Sequence, residues 1–219
     1  MTNKKGGKKM ELNQTVLKCG MTEEYIGDIC RKAADKGLSS VSVFPSVVAV
    51  AAKALKGTDT KCCSSVSYPL GADLPKIKVN EAKLVIGDGA QEVCMVMNAA
   101  AVKVGDLGVV KEEVKGVVDA AHAAGCRAKV MIETVLLTKE QVKTAVELAD
   151  SLGADVILPS TGFKPLQARK VTAEDIAYIA GLVKNAEIEA AGTIEDRQTA
   201  EALVSAGAKG VAADAALDF

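Results

Sequence analysis

The sequence predicts a single-domain α/β fold, the (β/α)8 or TIM barrel. Three observations carry that expectation: short β-branched runs alternate eight times with longer amphipathic stretches, glycines recur just before most runs, and no Pro/Ser-rich linker interrupts the series. Repeating strand–helix units of about 25 residues fit a closed parallel barrel better than an open sheet. At 219 residues the chain is long enough to bury a sizeable core as one domain.

Residues 1–10 are basic and glycine-containing and read as a flexible, solvated tail, which leaves 11–219 for the barrel. The first strand is placed at Thr15–Leu17. Thr22, followed by Glu23 and Glu24, has the residue types of a helix N-terminus, and Gly37 has those of its end. The second strand is Ser40–Phe44, with a helical stretch closing on Gly57; the third is Thr60–Val66, with one closing on Gly89. Glu92–Met97 is the fourth strand and leads to a long helical stretch ending at Gly125. Arg127–Thr134 is the fifth, after which Thr138 opens QVKTAVELADSLG and Gly153 closes it. Asp155–Pro159 is the sixth, and Thr172 opens AEDIAYIAGLVK behind it. The seventh strand, Glu187–Ala191, is followed by a helical stretch ending at Gly207. The eighth, Gly210–Ala213, stands so near Phe219 that a C-terminal helix is truncated almost to nothing.

Composition removes several classes of function. A net charge of −1 and 3% aromatics with no Trp give neither the basic surface nor the stacking platforms that nucleic-acid binding needs. No apolar run reaches the roughly 18–20 residues of a membrane span, and no signal-peptide core stands at the N-terminus, so a cytoplasmic protein is expected. Six cysteines without a CxxC spacing read as reduced, small apolar residues. Cys62 and Cys63 are adjacent on a strand and point to opposite faces, so they cannot share a metal. The one histidine, His122, falls in a helical pattern and reads as solvated; Ser-His or Cys-His catalysis then has no base, and a zinc site has no imidazole. No Walker loop or GxGxxG appears. No metal and no cofactor are expected.

What remains is organic catalysis by lysine and carboxylates, the class that includes Schiff-base lysines with a depressed pKa. In such barrels, ligands bind at the C-terminal ends of the strands. Alternation along RAKVMIET puts Lys129, Met131 and Glu133 on one face; if that face points inward, both charges must be paired or functional.

Several stretches resemble deoxyribose-phosphate aldolase, a class I aldolase barrel. They are Asn13 to Lys18 (NQTVLK), Val41 to Pro45 (VSVFP), Ser67 to Ala72 (SYPLGA) with Lys78 to Lys83, Met95 to Asn98 (MVMN), Lys129 to Thr134 (KVMIET) with Leu136 to Thr138, and Ser160 to Phe163 (STGF). They stand in the family's order over nearly the whole chain after the tail. The resemblance implies a Schiff-base lysine two residues before the Ser-Thr-Gly turn, where this chain has Leu158. It implies a second, pKa-lowering lysine at Glu189 and a proton-shuttling aspartate at Cys94. The family's first-strand Asp-His pair falls on Asn13 and Gln14, and a second-strand asparagine falls on Phe44. Lys129, Glu133, Thr134 and Ser160 match family positions that support the pocket. The implied phosphate site falls on Gly162, Gly192, Thr193 and Asp214, with Thr193 in place of the second glycine and Asp214 in place of a serine.

Leucine cannot form an imine. The expected function is an aldolase-like barrel without Schiff-base chemistry or phosphate binding, which binds a small polar metabolite or a protein partner. The alternative is an active class I aldolase that cleaves 2-deoxyribose 5-phosphate through a relocated lysine such as Lys129. The resemblance also implies a homodimer.

Overall fold

The computed structural model describes residues 10–166 and 169–219, so most of the predicted N-terminal tail lies outside the described residues. Eight parallel strands pair each with the next in sequence, and the last closes on the first. In chain order they are β1 Glu11–Val16, β2 Ser40–Val43, β3 Lys61–Val66, β4 Glu92–Val96, β5 Arg127–Met131, β6 Val156–Leu158, β7 Glu187–Ala191 and β8 Gly210–Ala213. The helices between them are α1 Glu23–Asp35, α2 Val48–Leu55, α3 Pro75–Gly87, α4 Ala99–Val104, α5 Leu107–Ala123, α6 Lys139–Ser151, α7 Ala173–Ala180 and α8 Arg197–Ser205. After β8 there is only a 3-10 turn, Ala216–Asp218, as the sequence predicts.

The helix boundaries follow local chemistry. Thr22, Thr138 and Thr172 cap α1, α6 and α7, each side chain accepting an amide N–H three residues on. Thr138 with Gln141, and Thr172 with Asp175, complete reciprocal capping boxes. α5 shows why these helices lie against the sheet: Val110, Val114, Val117, Val118 and Ala121 recur at helical spacing and all are buried.

Alternation along the strands divides the apolar residues into two layers. Val41, Cys62, Val93, Met95, Val130, Ile157 and Val211 pack outward against the helices. Cys63, Cys94, Val96, Met131, Val156, Leu158, Ala191 and Ala212 form the smaller cluster inside the barrel. Cys62 and Cys63 thus take opposite faces, as predicted.

Several strand limits differ from the sequence expectation. β1 begins at Glu11 instead of Thr15, because pairing with β8 from Glu11↔Gly210 onward makes a strand of residues with little β propensity. β2 stops at Val43, since Phe44 turns the chain into the 3-10 turn that Pro45 opens. β5 ends at Met131 instead of Thr134: Glu133 has φ +54°, which breaks the alternation assumed for Lys129, Met131 and Glu133. β6 is only Val156–Leu158. Asp155 accepts the Ala128 amide at 2.7 Å and sits 2.9 Å from His122 Nε2; the half-exposed histidine is on the helix surface, as expected.

One buried ion pair escaped the sequence reading. Lys78 on α3 and Glu113 on α5 are both fully buried and meet at 2.6 Å. The Lys78 ammonium also donates to the carbonyls of Gly71 and Val96, and Glu113 accepts the Asn98 amide. The pair therefore ties the segments that follow β3 and β4, at the mouth of the barrel, to the helices outside it.

Candidate active site

Parallel strands whose side chains alternate bring every second residue into the barrel, and the C-terminal ends open into a cavity of about 590 Å³. Its deepest polar feature is an ionic cluster. Lys129 of β5 extends its ammonium between two carboxylates, 2.7 Å from Glu92 Oε2 on β4 and 2.9 Å from Glu189 Oε2 on β7. All three side chains are almost completely buried. Burial by itself would lower the lysine pKa, but Glu189 and Glu92 together hold it well above the ordinary value. Burial pushes the Glu189 carboxyl up, and Lys129 only partly offsets that. The cluster continues away from the cavity. Arg127 lies 3.7 Å from Glu92 and 2.6 Å from Glu187, and Lys209 joins Glu187 to Glu11.

Above this cluster the wall is apolar. Cys94, Val96, Met131, Leu158, Ala191 and Ala212 line it. Burial raises the Cys94 thiol well above its ordinary pKa, so it remains a neutral thiol instead of a nucleophile. Hydroxyls on Thr15, Ser42, Ser65, Tyr68 and Ser160 interrupt the wall. Tyr68 packs edge-on against Phe44, with ring centroids 5.9 Å apart. Burial, then Asp214 and Glu133, push its phenol up to about 12. It therefore faces the cavity as a neutral hydrogen-bond donor.

The rim is built from the turns after β6, β7 and β8. Gly162 (φ +71°) passes so near Gly192 that a Cβ on it would stand 3.0 Å from the Gly192 carbonyl carbon. Thr193 and Asp214 complete this edge. Asp214 does not present a bare charge: Lys18 lies 3.1 Å from it and the Thr15 hydroxyl donates to it.

The predicted residues thus divide. Cys94, Lys129, Leu158, Ser160, Gly162, Glu189, Gly192, Thr193 and Asp214 all line the one cavity. Five others do not. Asn13 is buried one step before Thr15 on the same strand face and accepts the Ser40 hydroxyl at 2.8 Å. Gln14 points the other way and anchors the C-terminal segment, donating to the Asp214 carbonyl and accepting the Leu217 amide. Phe44 packs against Tyr68 and does not itself line the cavity. Glu133, turned by its positive φ, accepts from the Thr161 amide and the Ser160 hydroxyl, and so holds the turn after β6 instead of meeting Lys129. Thr134 donates to the Pro159 carbonyl.

Sequence reasoning placed Lys129 and Glu189 in one site and missed Glu92. The signal was present: Glu92, Cys94 and Val96 share a strand face, and Cys94 pairs in register with Lys129. Tyr68 and Lys18 gave no comparable signal, because their positions depend on loop conformation. Among the described residues no group of three or more His, Cys, Asp or Glu is placed to hold a metal ion, and no helix is long and apolar enough to cross a membrane.

Comparison with known proteins places these features in context. A family model described as DeoC/LacD family aldolase matches residues 10–216. The deoxyribose-phosphate aldolase of Geobacillus sp. (strain WCH70) is 41% identical over 198 residues, spanning 90% of this chain and 87% of that one. The deoxyribose-phosphate aldolase of Aciduliprofundum boonei is 39% identical over 209 residues, spanning 95% and 93%. Among solved structures, one described as QR15, an aldolase, superposes with a TM-score of 0.87 at 31% identity, covering 94% of this chain and 91% of its own.

Proposed function

The chain belongs to the DeoC/LacD aldolase family, and on that premise we propose that its barrel mouth binds a small polar metabolite without forming an imine. One observation carries the proposal. The family's nucleophile position is Leu158, and the lysine deepest in the cavity is clamped as an ammonium between Glu92 and Glu189. An imine needs a neutral amine. An ordinary lysine is neutral in only about one molecule in three thousand at pH 7, and a raised pKa makes that fraction smaller still. The proton shuttle implied by the resemblance is Cys94, which burial keeps protonated. At the implied phosphate edge, Thr193 adds a side chain where a second glycine would leave backbone open, and Asp214 adds a carboxylate.

The comparisons favour a second reading, an active class I aldolase that cleaves 2-deoxyribose 5-phosphate to glyceraldehyde 3-phosphate and acetaldehyde. Relatives near 40% identity across most of the chain carry the aldolase name. That reading requires a relocated nucleophile such as Lys129, which lines the cavity from inside the barrel.

Borohydride trapping separates the two. Incubation with 2-deoxyribose 5-phosphate or acetaldehyde and borohydride, followed by peptide mass spectrometry, should leave no adduct on a cavity lysine. A stoichiometric adduct on Lys129 would overturn the proposal and establish the second reading.

A further inference from the structure

We infer that the floor of the cavity selects a ligand bearing a protonated amine, with Glu189 as its direct acceptor. The inference deepens the reading above, that the pocket binds a small polar metabolite.

The chain of charges through the barrel has a carboxylate at each end. Glu11, Glu92, Glu187 and Glu189 alternate with the cations Arg127, Lys129 and Lys209, which leaves one negative charge in excess. The members away from the cavity (Glu11, Lys209, Glu187) are partly exposed and screened by solvent. The cavity end is not. Glu189 is 6% exposed, and one Oε engages Lys129. No hydrogen bond from the described residues reaches its other oxygen, and the residue lines the cavity. Glu92, on the far side of Lys129, is ion-paired to the same ammonium at 2.7 Å and does not line the cavity, so Glu189 is the carboxylate of this cluster that a ligand meets.

A ligand end entering here meets an under-satisfied acceptor among apolar walls formed by Leu158, Met131 and Ala191. An ammonium would supply both the missing donor and the missing positive charge, and charge-assisted hydrogen bonds in such surroundings are the strong ones. A neutral hydroxyl would supply the donor alone. A carboxylate would supply neither and would face Glu189 directly.

Three compounds of one size test this: 3-amino-1,2-propanediol, glycerol and glycerate, which differ at one terminal group that is cationic, neutral or anionic. Isothermal calorimetry with the full chain at pH 7 should rank them amine, then alcohol, then carboxylate, with the amine at least about tenfold tighter than glycerol. Glu189→Gln should bring amine and glycerol within about threefold of each other, while Glu189→Asp should retain the amine's advantage. Equal binding of the three by the unaltered protein, or tighter binding of glycerate, would overturn the inference even if Glu189→Gln failed to fold. An amine preference that survives intact in a folded Glu189→Gln protein would also overturn it. None of these probes carries a carbonyl, so an imine-forming lysine would appear in the borohydride experiment and not in this ranking.

Discussion

Replacing Lys129 by methionine would test the ionic cluster on which the site is built. Methionine is unbranched and fills similar space, so packing changes little and the loss is chiefly of charge. Among the described residues, Glu189 would lose its one ion-pair partner, and Glu92 would keep only Arg127 at 3.7 Å. Removing one partner of a buried ion pair costs about 3–5 kcal/mol, because the remaining charge stays buried without compensation. For a chain of this length each kcal/mol shifts Tm by about 2–4 °C, so a drop of about 6–20 °C follows. Burial already raises the Glu189 carboxyl, and without Lys129 to offset it the folded-state pKa should rise further. The folded protein then binds a proton there more readily than the unfolded chain, so stability is lost as pH rises through the raised value. Urea denaturation at pH 5 and pH 8 should therefore show a wide gap between variant and wild type at pH 8 and a narrower one at pH 5. Lys129→Met combined with Glu189→Gln should recover part of the loss at pH 8. A cost below about 1 kcal/mol at pH 8, or a gap that does not change with pH, would refute a charged, buried cluster.

Two further outcomes concern the chemistry. Leu158→Lys alone should give no retro-aldol activity, because Glu189 would hold the new amine as an ammonium. Joined with Glu189→Lys and Cys94→Asp it should give weak activity on 2-deoxyribose 5-phosphate, since residues that act as a unit are not additive; activity from the single variant would defeat this reasoning. In calorimetry, 2-deoxyribose 5-phosphate should bind no more tightly than 2-deoxyribose. Lys18 beside Asp214 makes the rim less repulsive than the sequence suggests, so a lack of preference is expected instead of outright rejection, and a micromolar preference for the phosphate would contradict it.

The fold was legible because its signals are local. Threonines at three helix starts, glycines at helix ends and β-branched runs between them each express a short-range preference, and the helix caps form where those residues stand. Strand limits were less legible where pairing overrode propensity, as at Glu11, or where one residue left the extended region, as at Glu133. Of the candidate site, Cys94, Lys129, Leu158 and Glu189 on the strands and Ser160, Gly162, Gly192, Thr193 and Asp214 in the turns after them line one cavity. Asn13, Gln14, Phe44, Glu133 and Thr134 were assigned to the pocket by motif, and each makes a structural contact elsewhere. Glu113 could have been suspected as a charge on the apolar face of α5, but its partner Lys78 is 35 residues away.

The sequence by itself determined an eight-fold alternation of strand and helix, the absence of a lysine at the position of Leu158, and the presence of a lysine on the fifth strand and a glutamate on the seventh. These depend on residue identity and on periods of two and 3.6, which any window of the chain contains. Only the tertiary structure decided that Glu92 shares the Lys129 ammonium, that Glu133 does not, and that Lys18 answers Asp214. Each of those is set by which strands lie side by side and by how the turns after them bend. Contacts between residues 37, 60 or 196 positions apart are fixed by closing the barrel, not by any local preference of the chain.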